Sequence, residues 1–309
     1  MAESSRRPTE SIMTPMTPDL PKAAAFLSTC ARVLERRRFD AAFGHGMAEE
    51  TVAALDAYRN ADGGFGWGLE PDLRTPDSQP VAALHAFEVF EEAQFEAPQA
   101  RQLCDWLASV SLDDGGLPFA FPAADSAGSA PFWVHADPHQ SSLHMTCMLA
   151  GIAHRVGRHD PGVRDHPWLQ TATEYSVRHI RELDRVTGAH EFSYALQFLD
   201  AVHDDVPDAA TELGRLGALI PASGTIPVQG GLPDEALRLL DISPKPNRPL
   251  RELFDADLVA GELDRLAAGQ QDDGGWTVDF RSHSAAGALE WRGYATVQAL
   301  TVLRAHDRL

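Results

Sequence analysis

Three copies of one short pattern limit the architectures open to this chain more than anything else in it. Asp62-Gly63-Gly64-Phe65, Asp114-Gly115-Gly116-Leu117 and Asp273-Gly274-Gly275-Trp276 each join Asp-Gly-Gly to a large apolar residue. From residue 62 to 114 is 52 positions, and from 114 to 273 is 159, three times 53. A unit of about 52 residues is the mark of stacked supersecondary modules. Degenerate copies are then expected near 167 and 220, where Asp165-His166-Pro167-Trp168 and Gly224-Thr225-Ile226-Pro227 stand. The triplets read as joints, since glycine allows positive φ at a helix end and aspartate caps nearby amides.

The modules are helical. Leu103, Trp106, Leu107 and Val110 fall at helical spacing, as do Leu143, Cys147, Met148, Ile152 and Val156. Further amphipathic stretches cover 23–39, 47–58, 79–95, 167–183, 189–203, 208–220, 250–269 and 286–306, with Pro98, Pro161, Pro167, Pro207 and Pro249 at their borders. Sustained strand-type alternation is missing, so the expected fold class is all-α. One module holds two helices, and the chain divides into about six such hairpins. Stacked hairpins form an open superhelix or a closed (α/α)6 toroid. The loops 62–78, 113–139 and 273–284 recur at one phase, which favours a toroid with a single mouth. A disordered arm is expected over 1–21, which is rich in Ser, Thr and Pro, and one domain over 22–309.

Charge removes several classes of function. With 26 Lys+Arg against 45 Asp+Glu the net charge is −19, the wrong sign for binding nucleic acid backbones or anionic lipid. Only Lys22 and Lys245 are lysines, which leaves no Gly-x-x-x-x-Gly-Lys loop. Cys30, Cys104 and Cys147 lie in helical patterns and read as reduced thiols of a cytoplasmic protein. No apolar run is long enough to span a bilayer.

Tyr58-Arg59-Asn60-Ala61-Asp62-Gly63-Gly64-Phe65-Gly66-Trp67-Gly68 and Gln270-Gln271-Asp272-Asp273-Gly274-Gly275-Trp276 resemble the Gln-Gly-Trp repeats of squalene cyclases and protein prenyltransferase β subunits. Gly68-Leu69-Glu70-Pro71-Asp72-Leu73-Arg74 and Leu289-Glu290-Trp291-Arg292-Gly293 resemble bacterial proteins of the prenyltransferase- or squalene-cyclase-like group. The resemblance implies an (α/α)6 toroid around a central cavity that takes an isoprenoid or another small apolar molecule. The family chemistry is not matched residue by residue. The Asp-x-Asp-Asp run of class II cyclases is absent, Asp255-x-Asp257 being followed by leucine, and so is the Asp-x-Cys pair that holds zinc in prenyltransferases. Asp204-Asp205-Val206-Pro207-Asp208 fits an Asp-Asp-x-x-Asp box in form, but its proline and loop setting read as an acidic helix start.

Candidate residues cluster in three segments. Glu70 to Pro80 holds Glu70, Asp72, Asp77 and Arg74 between prolines, beside Trp67. Glu70, Asp72 or Asp77 at the mouth would be a catalytic acid raised by its neighbours. The alternative is structural: Asp77 or Ser78 caps the helix from Gln79 while Arg74 pairs with Glu70. His135, Asp137 and His139, followed by His144 and Cys147, supply acid/base histidines or zinc ligands, with Trp133 beside them as an aromatic platform for substrate. Arg281, His283, Glu290 and Trp291 form the third segment, with Trp291 either packed between helices or facing the cavity. His190-Glu191 is a further acid/base pair. No organic cofactor is expected; Mg²⁺ or Zn²⁺ is open. Three functions follow: a terpenoid cyclase- or prenyltransferase-like enzyme, a carbohydrate-active toroid with paired carboxylates near an aromatic platform, and a non-catalytic binding module.

Overall fold

The computed structural model describes residues 17–123 and 127–309, so most of the expected arm at 1–21 lies outside the described residues. The helices are α1 (Leu20–Cys30), α2 (Val33–Ala42), α3 (Ala48–Leu55), α4 (Pro80–Ala93), α5 (Pro98–Val110), α6 (Pro131–Val134), α7 (Leu143–Val156), α8 (Pro161–Arg164), α9 (Pro167–Ile180), α10 (Ala189–Ala201), α11 (Ala209–Gly217), α12 (Leu239–Ile242), α13 (Ala256–Ala268) and α14 (Ala285–Ala305). Strands among the described residues are two short antiparallel pairs, β1 (Leu117–Pro118) with β2 (Ser141–Ser142) and β3 (Ile226–Pro227) with β4 (Ala236–Leu237). Proline opens α4, α5, α6, α8 and α9, where its missing N–H has no helical partner to lose. No helix among the described residues is long and apolar enough to cross a membrane.

Two of the sequence-predicted helices are broken. The stretch 23–39 is interrupted at Ala31 and Arg32, both at ψ 159°. The guanidinium of Arg32 donates to the carbonyls of Gly68 (3.2 Å) and Leu69 (3.0 Å) and to Glu35. These bonds draw the chain out of helix as it passes from one layer to the next. The stretch 250–269 likewise splits into a 3-10 turn at Arg251–Leu253 and α13.

The helices alternate between two layers. α1, α3, α5, α9, α11 and α13 are outer; α2, α4, α7, α10, α12 and α14 are inner. Along the inner layer α4 packs on α7, α7 on α10 and α10 on α12. α13 links α12 to α14, and α14 returns to pack on both α1 and α2. The ring is therefore closed: an (α/α)6 toroid.

The repeated triplet is the joint that builds it. Gly63 and Gly64 lie against Gln102 and Trp106 of α5. Gly115 and Gly116 lie against Thr171 and Tyr175 of α9, and Gly274 and Gly275 against Lys22 and Phe26 of α1. Each pair of receiving residues is spaced i, i+4 and so shares one helix face. In every copy the aspartate accepts the N–H of the second glycine, at 2.9, 3.0 and 3.1 Å. The first glycine sits at φ 91°, 90° and 94°. A Cβ on the second glycine would come within 2.6 to 2.7 Å of the receiving helix or its neighbouring serine. The third copy, at the end of the chain, docks on its first helix.

A fourth joint exists near 220. Thr225 N–H donates to Ser223 Oγ (3.3 Å), Gly224 has φ 66°, and Gly224 faces Leu258 of α13. Serine there does the work of aspartate. The window at 165–168 forms no such joint: Asp165 ends α8 and His166 caps α9. The apolar layer between the rings forms one large core, and Phe26, Leu27, Leu263, Trp276 and Leu300 form a second at the seam.

Candidate functional site

The connections that lead into the inner helices meet at one end of the ring, and Asp72 ties three of them. Its Oδ1 accepts from Ser282 Oγ (2.8 Å) and His283 N–H (3.0 Å), and its Oδ2 from Trp291 Nε1 (2.8 Å). Its backbone carbonyl accepts from Ala130 N–H (2.8 Å). The loops before α4, α7 and α14 are thus fastened at one buried residue, the α14 segment through its carboxylate and the loop before α7 through its main-chain carbonyl. Asp72→Asn would turn one acceptor oxygen into a donor against a donor. It is expected to lower stability by about 2–3 kcal/mol, the cost of an unsatisfied charged hydrogen-bond site, read from the urea midpoint.

Beneath this tie lies a buried charge network that closes α2, α4 and α14 on the axis. His85 Nε2 contacts Glu70 (3.0 Å) and its Nδ1 contacts Glu88 (3.1 Å). Glu88 accepts from the Tyr294 hydroxyl at 2.7 Å. Arg38 makes a two-pronged contact with Glu92 (2.9 and 2.7 Å) and lies 3.9 Å from Glu88. Burial opposes a proton on His85, but Glu88 and Glu70 outweigh it and push the pKa up to about 9. Burial also opposes the charge on Glu88, yet His85 and Arg38 hold its carboxyl below the usual range. Trp291 and Tyr294 meet the imidazole edge-on, at 6.0 and 5.3 Å between centroids.

An open cavity of about 430 Å³ lies at the start of α7 and α10. Its walls include Phe119, Ser142, His144, Thr187, His190 and Glu191, with Gln229 opposite. The rings of His144 and His190 are parallel, 5.7 Å apart and 7° off plane, and His144 stacks on Tyr194 at 5.1 Å. Burial, together with the neighbouring His190, pulls the His144 pKa down to about 3. Burial lowers His190 as well, against a partly offsetting charge on Glu235. Both imidazoles are therefore neutral near pH 7, and among the described residues neither ring nitrogen has a hydrogen-bond partner.

The sequence-predicted residues distribute as follows. Glu70 is buried against His85 instead of Arg74, whose guanidinium pairs with Glu290. Asp77 is exposed and accepts from Thr75 Oγ1 at 3.2 Å; the cap position of α4 belongs to Gln79, whose side chain bonds Phe121 instead. Trp67 is exposed, at φ 58°, with its indole N–H on Asn60. Trp133 is buried and stacks on Phe119 at 4.6 Å, while His135 and His139 are exposed. His283 has its backbone on Asp72 and its ring beside Phe132. Glu290 and Arg292, spaced i, i+2 on α14, point apart as that helical spacing requires, Arg292 reaching Asp273. Among the described residues no three His, Cys, Asp or Glu side chains are arranged to hold a metal ion. Of the proposed zinc set, Cys147 is fully buried and its thiol pushed up by burial to about 12. Asp204, Asp205 and Asp208 are exposed beyond the C-terminal end of α10, away from the cavity; Asp208 pairs with Arg181.

His85, Glu88, Tyr294 and Arg38 were not singled out from the sequence. A signal was present: His85 and Glu88 interrupt the otherwise apolar run Val81 to Phe90 at i, i+3, which puts both on one face.

No family model and no curated protein matches this sequence. Among solved structures, a glycosidase with a Glu-to-Ala substitution superposes with a TM-score of 0.45 at 12% identity, covering 85% of this chain and 96% of its own. A glycosidase variant in complex with glucose does so with a TM-score of 0.43, at the same identity and coverage. At those scores neither similarity bears on what this chain binds.

Proposed function

We propose that the chain is a carbohydrate-active α/α toroid whose cavity takes a neutral, hydroxyl-rich ring. The observation that carries this reading is the pair of neutral, unpartnered imidazoles of His144 and His190, set among Ser142, Thr187, Glu191 and Gln229. A neutral imidazole offers one donor and one acceptor, the complement of a hydroxyl. Phe119 in the cavity wall supplies an apolar face against which such a ring packs, and Tyr194 backs His144 from behind. An isoprenoid diphosphate asks for an apolar wall and for positive charge at its head; no Lys or Arg lines this cavity, and Glu191 does. Glu191 and Glu235, both close to His190, favour a glycoside-cleaving role as the second reading.

Calorimetric titration tests the reading. Glucose or a related sugar is expected to bind, and His190→Ala to weaken it about tenfold, the worth of one lost hydrogen bond with its orphaned partner. Because burial lowers both imidazoles below their ordinary value and so keeps them neutral at pH 7, affinity is expected to be level from about pH 8 to about 7. Binding of farnesyl diphosphate with no response to any sugar would overturn the proposal.

A further inference from the structure

We propose that the ligand of this cavity is a chain of sugar rings, carried outward from it along an aromatic track that ends at Phe132. The proposal rests on the carbohydrate reading above and extends it from a single ring to an oligosaccharide. Phe119 is the shared wall: it lines the cavity, lies 5.4 Å from His144, and stacks on Trp133 at 4.6 Å and 17°. Trp133 in turn meets Phe132 at 5.2 Å, and Phe132 meets His283 edge-on at 6.2 Å. Trp133 is buried between the two phenyl rings and backs them, so the faces open along this path are Phe119 in the cavity and Phe132 outside it.

Exposure rises along that path. Trp133 is 8% exposed and Phe132 is 56% exposed. A phenyl ring held in solvent on a four-residue helix adds little to the core, yet its position is fixed from both sides. α6 is anchored by Ala130 N–H on the Asp72 carbonyl, and the 282–284 segment by Ser282 and His283 on the Asp72 carboxylate. Asp72 is in this sense a positioning residue for the platform. The indole N–H of Trp133 is buried beside the cavity wall with no acceptor among the described residues, a donor the fold leaves unpaired. The same segment presents His135, Asp137, His139 and Gln140 to solvent. Apolar ring faces edged by polar groups match the two kinds of surface that a pyranose chain presents, whereas a lone sugar in the cavity would leave the exposed part of Phe132 uncovered.

The test uses the full chain and three probes: glucose, maltotetraose and cellotetraose. One tetrasaccharide is expected to bind the wild type at least about 3- to 10-fold more tightly than glucose, the worth of one aromatic stacking contact. Phe132→Ala is expected to remove that advantage, leave glucose affinity unchanged and leave the melting midpoint unchanged, while Phe132→Trp retains it. Glucose binding with no tetrasaccharide advantage, or an advantage that survives Phe132→Ala, overturns the track and leaves the cavity reading standing. Loss of self-association in Phe132→Ala with unaltered sugar binding also overturns the track, assigning Phe132 to a protein contact. No binding of any of the three probes overturns both proposals.

Discussion

Gly274→Ala is expected to destabilise the chain by about 3–5 kcal/mol, more than the same change at either equivalent glycine. At φ 94° an added methyl group would lie 2.3 Å from the Lys22 carbonyl oxygen and 2.4 Å from its carbon. Those are main-chain atoms in the first turn of α1 and cannot swing aside. The left-handed backbone costs a non-glycine residue about 1–3 kcal/mol, and forced overpacking about 1–3 more. At Gly115 the nearest atom is the Thr171 methyl group at 2.8 Å, which can rotate; at Gly63 it is the Gln102 carbonyl at 2.9 Å. The expected order of damage is Gly274, then Gly63, then Gly115. Denaturant midpoints give the order, and hydrogen exchange should show α1, α13 and α14 opening first, since they share the separate seam core. An open superhelix would not hold its two ends in register this way, so equal damage at Gly274 and Gly115 would argue against a closed ring.

The joints were legible because their chemistry is local. Positive φ requires glycine, and the aspartate that caps the turn lies two residues before the amide it accepts, so sequence spacing preserves both. The joint at Ser223 was harder to read because serine supplies the same acceptor with a shorter side chain, and only the glycine remains as a marker. Ring closure could be inferred from the phase of the loops but not demonstrated, because the receiving face, Lys22 and Phe26, is 252 to 249 residues away from the glycines it holds (274 − 22 and 275 − 26). The same limit explains the mouth. The acidic segment Glu70 to Asp77 stood out, but Glu70 finds His85, Arg74 finds Glu290, and Asp72 finds Ser282, His283 and Trp291. Of these only the 15-residue separation of Glu70 and His85 lies within one module. The cavity histidines were named separately, His144 with a zinc set and His190 with Glu191. Their stacking depends on the packing of α7 against α10, which no local pattern encodes.

Glu88→Ala is expected to lower stability by about 3–5 kcal/mol, the usual cost of removing one member of a buried ion network. Glu88 answers His85, Arg38 and the Tyr294 hydroxyl together. Without it two positive groups face each other across the axis with Glu70 and Glu92 as their remaining partners. Tyr294→Phe removes one hydrogen bond from the same carboxylate and is expected to cost only about 1–2 kcal/mol, which separates loss of the charge from loss of a single hydrogen bond. The pH dependence has a defined sign. His85 has its folded pKa raised to about 9 from an ordinary value near 6.5. Its contribution is therefore fully present below about pH 6.5 and is lost as pH rises through about 9, where the deprotonated ring can donate to only one of its two carboxylates. The stability difference between wild type and His85→Gln should be greatest near pH 6 and shrink steadily toward pH 9.5 in urea titrations. A difference that is constant over this range would mean that His85 is neutral in the fold, and the network would then have to be held by Arg38 and Tyr294 alone.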